Sequence, residues 1–356
     1  MVKNNRQRSF KNIVKDSEGE IKISLLFINL NNAGILKKSL ESLLPLSLQS
    51  ELIVVDSGSK DGSQEILKQF FKKYQPQNQI KIFGSQGINP LSVNEARLFG
   101  LKRVKGSIVV FGDTDCIYPK KWVDFVIEDF EKNKNVVLVF GPRLPDNGKG
   151  LGALIRRVEG YQSRKYLCRR TKIFSNKSEK IFYVAGSNFA VKRKNLEDIG
   201  SFNPIFTGLS FEDVDLEERL LKDGFSLLFD PRLLIGHYHN LSYFGLLKKT
   251  IKSGKGFICL SLNHNKQIFI GKYSLFWDVM PLVSFIWLIF FPLNALSLLL
   301  AILFFYSIIF YKVFHRRLIL KLFFVVLCIA PLIAIKDIVR ASALVIEYFK
   351  IKFSVR

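Results

Sequence analysis

Cysteine is scarce and poorly spaced in this 356-residue chain: Cys116, Cys168, Cys259 and Cys328 form no CxxC pair and no other metal-ligand spacing. That excludes a disulfide frame and a zinc module, and predicts free thiols in a reducing compartment. Residues 1–20 lack the apolar core of a signal peptide and read as a flexible polar tail. Acidic residues are also few, 30 against 53 Lys and Arg, for a net charge of +23. Such a balance invites a nucleic-acid partner. The basic residues are scattered, however, with no arginine-rich run, zinc-finger spacing or RNA-binding signature, so the reading is no nucleic acid. A basic surface beside apolar segments fits an anionic lipid bilayer better.

From residue 21, apolar runs alternate with helical periodicity. Residues 23–28, 51–56, 80–83 and 107–111 read as buried strands. Between them, Ile35, Leu36, Leu40, Leu43 and Leu44, then Ile66, Leu67, Phe70 and Phe71, recur at helical spacing, and residues 93–104 form a further helix. This order predicts an α/β fold, a Rossmann-like, mostly parallel sheet with helices on both faces. In such sheets ligands gather beyond the carboxyl ends of the strands. Asn31, Asp56 and Asp113 each follow or close a predicted strand. Residues 141–182 break the rhythm with a basic insertion containing one partly amphipathic helix, Arg156, Arg157, Arg164, Lys165, Arg169 and Arg170 among its cations. It reads either as a solvated surface or as a segment facing a membrane or an acceptor.

Charge vanishes altogether from residues 279–311, a stretch longer than the ~20 residues one span needs. Pro292 and Asn294 near its middle predict a helical hairpin. Basic flanks at Lys272 and at Lys312, Arg316, Arg317 and Lys321 then stay on one side, the cytoplasmic one. A third apolar segment, 322–335, and an amphipathic helix over 336–351 complete a membrane region, 271–356. The expectation is a multi-pass cell-membrane protein with its soluble part, 21–270, on the cytoplasmic face.

Two short acidic stretches carry the chemistry. Asp113-Thr114-Asp115 closes the apolar run Ile108-Val109-Val110-Phe111, and Glu212-Asp213-Val214-Asp215 opens a later helix. At the end of a strand, residues i and i+2 leave the same face. Carboxylates about 4 Å apart repel by ~4 kcal/mol at an effective dielectric near 20, so this pair wants a cation. A divalent metal bridging to a nucleotide diphosphate supplies one. The second stretch offers a separate acid or base, although an acidic first turn also simply favours the helix dipole. Together they point to phosphate-linked sugar chemistry.

An ordered series then carries a resemblance. Leu26-Phe27-Ile28-Asn29-Leu30-Asn31, Val54-Val55-Asp56-Ser57-Gly58-Ser59, Glu95-Ala96-Arg97-Leu98-Phe99-Gly100, Asp113-Thr114-Asp115, Ala185-Gly186-Ser187-Asn188 and Glu212-Asp213-Val214-Asp215 resemble the motifs of GT-A fold inverting glycosyltransferases of family 2, here with a C-terminal membrane anchor. The resemblance covers about residues 22 to 265. It implies a nucleotide-sugar donor held by Asn31, Asp56, Arg97 and Asp113, and Mn2+ or Mg2+ held by Asp113, Asp115 and His237, with His239 less favoured. It implies Asp213 as the general base and Glu212, Gly186 and Asn188 on the acceptor side. On the residues alone, Asp56 is also a turn former, Arg97 a solvated helix residue, Gly186 and Asn188 turn residues and His237 a core histidine. The family often has Pro, Tyr, Asp and Asn where Ile28, Leu30, Ser57 and Leu98 stand, which leaves the nucleotide base open. Gln-x-x-Arg-Trp, the signature of processive synthases, is absent, which favours a non-processive enzyme of cell-envelope glycan or polysaccharide assembly with a lipid-linked or glycan acceptor. The competing readings are nucleotidyl transfer and a non-catalytic membrane scaffold.

Overall fold

Seven consecutive buried residues, Ile23–Asn29, form β1 at the heart of the sheet. The structure, a computed structural model, describes residues 23–47, 50–74, 80–84, 90–144, 147–162, 170–175, 184–264 and parts of 332–347. In chain order the further elements are α1 (Ala33–Ser47), β2 (Glu51–Asp56), α2 (Ser63–Tyr74), β3 (Ile80–Gly84), α3 (Val93–Leu101), β4 (Ile108–Asp113) and β5 (Cys116–Ile117). Then come α4 (Trp122–Lys132), β6 (Val136–Phe140), α5 (Leu151–Gln162), β7 (Lys172–Phe174), β8 (Asn188–Lys192) and α6 (Arg193–Asp198). The last are α7 (Glu212–Lys222), β9 (Ser226–Phe229), β10 (Gly236–His237) and α8 (Tyr243–Asn263).

Among the described residues, eight strands align in the order β3-β2-β1-β4-β8-β6-β9-β7, with β10 and β5 forming a separate ribbon. The sheet is mixed: six of its eight strands run one way and two are reversed. β3, β2, β1 and β4 are parallel, but β8 runs antiparallel to both β4 and β6, and β7 antiparallel to β9. β7 and β8 are short, and their direction is set by neighbours distant in sequence, so no local periodicity announces it. The fourth strand also runs two residues further than predicted and takes in Asp113.

Alternation along β1 sends Leu25 and Phe27 to one face and Leu26 and Ile28 to the other. On the first face they meet Leu36 and Leu40 of α1, Leu67 and Phe70 of α2 and Trp122 and Val126 of α4. On the second they meet Ala96 of α3 and Leu216 and Leu220 of α7. Each such fully buried aliphatic or aromatic side chain contributes about 1.5–3 kcal/mol, which fixes the register of β1 between two covered faces. A capping box, Ser92 with Glu95, starts α3 and so places Arg97 one turn in.

The chain divides into two compact units, one of residues 1–148, 164–208 and 212–240, the other of 149–163, 209–211 and 241–356. The sheet lies in the first. In the second, α5 packs on α8 and Lys255 of α8 pairs with Glu347 at 3.6 Å. The basic helix of the insertion thus belongs to this second unit, whereas β7 joins the sheet edge. Among the described residues no helix is long and apolar enough to cross a membrane. Residues 1–20, the apolar run 279–311 and most of 322–335 lie outside the described residues. Cys116 and Cys259 are free and buried.

Candidate active site

The antiparallel course of β8 decides which segments meet. Its first residue, Asn188, pairs with Gly112, so the loop 184–187 that precedes it reaches the edge where β4 ends in Asp113. Tyr118 ties the two together: its hydroxyl donates to the Ser187 carbonyl at 2.7 Å and accepts from the Asp113 N–H at 3.2 Å. Only glycine fits at 112, since a Cβ there would lie 2.4 Å from Phe27 and 2.6 Å from the Tyr118 hydroxyl.

Asp113 closes the strand, Thr114 turns inward and Asp115 faces the β10 ribbon. Thr114 is wholly buried and donates to the Asn29 side chain at 2.6 Å, while Asn32 donates to it at 3.0 Å. His237 pairs with Cys116 across the ribbon and the Tyr238 N–H donates to the Asp115 carbonyl at 2.8 Å. His237 Nε2 therefore sits 3.3 Å from Asp115 Oδ2. Ligand atoms of Asp115, His237 and His239 all lie within 4.8 Å of one another. One carboxylate and two imidazoles suit a divalent transition ion such as Mn2+, whereas Mg2+ favours oxygen. Burial, then the like charge of Asp115, pushes Asp113 up to about 6 against the pull of Arg97 and Arg143. An added cation would relieve that repulsion.

The second acidic stretch begins α7, directly after Phe211, whose φ of 80° is a left-handed conformation rare for an aromatic residue. Asp213 accepts from the Gly186 N–H at 2.7 Å and from its neighbour Val214 N–H at 2.9 Å. Burial raises its carboxyl to about 7, with the Glu212 charge adding to the rise and Arg97 and the two N–H groups opposing it. Glu212 itself is committed to Arg97, Oε1 to Nη1, at 2.7 Å. Arg97 also donates from Nη2 to the Gly186 carbonyl at 2.9 Å.

Other predicted residues serve as framework. Asp56 is buried and accepts from Asn29, the Gly58 and Ser59 N–H groups, the Ser59 hydroxyl and Gln64, at 2.6 to 3.2 Å. Asn31, exposed and at φ 54°, clamps the same loop by accepting from the Lys60 N–H at 2.8 Å. Asn188 is a staple: it accepts from Trp122 at 3.0 Å and donates to the Pro142 and Leu233 carbonyls.

Residues 24–200 match the family model described as Glycosyl transferase family 2. The chain carries a glycosyltransferase family 2 domain. It is similar to the poly-beta-1,6-N-acetyl-D-glucosamine synthase of Staphylococcus epidermidis, 25% identical over 247 residues that make up 68% of this chain and 57% of the other. It is also similar to glycosyltransferase AglE of Haloferax volcanii, 29% identical over 210 residues, 58% of this chain and 62% of that protein. The chain thus spans about three fifths of the length of these relatives. Among solved structures it shares its fold with a mannosyltransferase from Pyrobaculum calidifontis in complex with GDP-Man and Mn2+, at a TM-score of 0.54 and 15% identity over 98% of this chain and 93% of that one. S. aureus TarS 1-349 gives a TM-score of 0.51 at 15% identity, over 78% and 80% of the two chains.

Within this GT-A-like domain the structure brings Asp115 and His237 together, and separately Arg97, Gly186, Glu212 and Asp213. Asp56 and Asn188 are instead occupied by hydrogen bonds inside the protein. His239, the less favoured histidine, joins the cluster because the ribbon carries both imidazoles past Asp115. Arg143 was missed: it is exposed on the segment that pairs with Ile235, and its charge acts on Asp113 and Cys116. No spacing marks it in the sequence, because it reaches Asp113 only through the loop after β6.

Proposed function

We propose that this glycosyltransferase is membrane-anchored and non-processive, and moves a sugar from a nucleotide-diphosphate donor to a lipid-linked or glycan acceptor with inversion. The carrying observation is the division of labour between two acidic groups: Asp115 with His237 and His239 on one side, and Asp213, held near pH 7 by burial, on a different segment. The loop 184–187 is tied to Asp113 through Tyr118 and to Asp213 through Gly186.

In this reading Asp213 is the base. It accepts the proton of the acceptor hydroxyl as that oxygen forms its bond to the anomeric carbon, while the bond from that carbon to the diphosphate oxygen breaks with its electron pair. Attack opposite the leaving group inverts the carbon. An upshifted carboxylate suits the task, because a base poised near the working pH both ionises and holds the proton well. Asp115, His237 and His239, with Asp113, would hold a divalent cation, and such a cation supplies Lewis-acid neutralisation of the departing diphosphate. Arg143 supports an anionic donor by its charge and exposure. The framework residues Asp56 and Asn31 shape the loop on the nucleotide side. The uncharged run 279–311 with its basic flanks supports the anchor and a cytoplasmic catalytic face.

The test is a thermal-shift screen with UDP, GDP and dTDP, each with and without Mn2+, followed by a release assay with the sugar form of whichever nucleotide binds. The expected result is one base giving a metal-dependent shift and sugar release. Failure to release sugar from any of the three would sink the assignment.

A further inference from the structure

We propose that Arg97 is a positioning residue for the base, holding the Gly186 loop and Glu212 around Asp213 so that the carboxylate keeps one orientation and a balanced field. The inference deepens the reading of Asp213 as the base and rests on it.

Arg97 of α3 is among the largest fully buried side chains of the described residues, 2% exposed. Its two terminal nitrogens grip different segments: Nη1 the Glu212 carboxylate at 2.7 Å, Nη2 the Gly186 carbonyl at 2.9 Å. Gly186 then turns its own N–H to Asp213 Oδ2 at 2.7 Å. One residue thus passes the guanidinium's hold on to the base. The packing leaves no slack, since a Cβ at 186 would lie 2.5 Å from Arg97 Nη2 and 3.0 Å from Asp213 Oδ2. Phe202 lies under the guanidinium, its ring centroid 5.5 Å from Cζ. Lysine could supply the charge but not two hydrogen bonds in fixed planar directions.

The field follows the same geometry. The charged groups acting on Asp213 are Glu212, which opposes its ionisation, and Arg97, which favours it, with the Gly186 and Val214 N–H groups also favouring the carboxylate. Arg97 in turn feels Glu212, Asp113 and Asp213. A merely structural arginine would affect stability and leave the ionisation of Asp213 where it is.

The decisive experiment measures the acid limb of the kcat/KM profile in Glu212→Gln and in the double variant Arg97→Met with Glu212→Gln. Removing a buried pair together spares the fold the cost of an orphaned charge. Loss of Glu212 alone should move the limb to lower pH, because the unopposed cation favours the ionised base. Adding Arg97→Met should move it back up, by on the order of one pH unit. Arg97→Lys should keep the limb near that of the parent and lower kcat about tenfold through lost orientation. Limbs that coincide in the single and double variants would overturn the role of Arg97 while leaving the base intact. Turnover surviving Asp213→Asn would remove the base itself, and the proposal with it.

Discussion

The two acidic stretches face one electrostatic problem and meet it differently. At Glu212 and Asp213 the neighbouring negative charges have an internal cation, Arg97, bonded to the first and acting on the second. At Asp113 and Asp115 an imidazole stands 3.3 Å from the second carboxylate, and the field of Arg97 and Arg143 acts on the first. The first corner carries a guanidinium hydrogen-bonded to a carboxylate, and the second groups a carboxylate with two imidazoles. The difference teaches that two adjacent acids in a sequence do not by themselves imply a metal: what matters is whether the fold already brings a guanidinium to them.

The largest test of that contrast is Asp213→Asn, which should lower kcat about 10³-fold while metal-dependent nucleotide binding by calorimetry stays near normal. Next, His237→Ala should weaken apparent Mn2+ affinity at least ~10-fold, as losing even an outer partner of a metal ligand does. Excess Mn2+ should restore its turnover and leave Asp213→Asn inert, and rescue of both would merge the two corners into one. Asp56→Asn should cost about 1–3 kcal/mol in chemical denaturation, through buried donors left unpaired, with kcat at saturating donor largely kept. A separate check is stability against pH. Burial, first of all, raises Asp213 and Asp129 from 3.8 to about 7, Asp230 adding to the rise at Asp129. Folded carboxyls that hold protons the unfolded chain has released make stability fall as pH rises from about 4 to 7, then level off. Denaturation midpoints of metal-free protein at pH 5 and 8 check the sign, and Asp129→Asn should flatten the slope.

Much of the first half of the sheet was legible. The apolar runs at 23–28 and 51–56 and the heptad-like Leu36, Leu40 and Leu43 give β1, α1 and β2 because local burial dictates them. The Asp-Ser-Gly-Ser turn also declares itself, and its Gly58 and Ser59 N–H groups donate to Asp56. What stayed hidden depends on contacts remote in the chain. The Arg97–Glu212 bond joins residues 115 apart. The direction of β8 is set by β4 and β6, and the arrival of His239 by a two-residue ribbon. Asn188 falls on the acceptor side only by resemblance to the family, and its side chain is taken up by Trp122 and two carbonyls.

The reversed β8 has a further consequence. Phe140 leaves β6 beside Phe189, and Asn188 enters β8 beside Gly112, so the chain between them departs from and returns to the same rim. That stretch also lays β7 against β9 at the far edge of the sheet, so any change in its length must keep that strand in place.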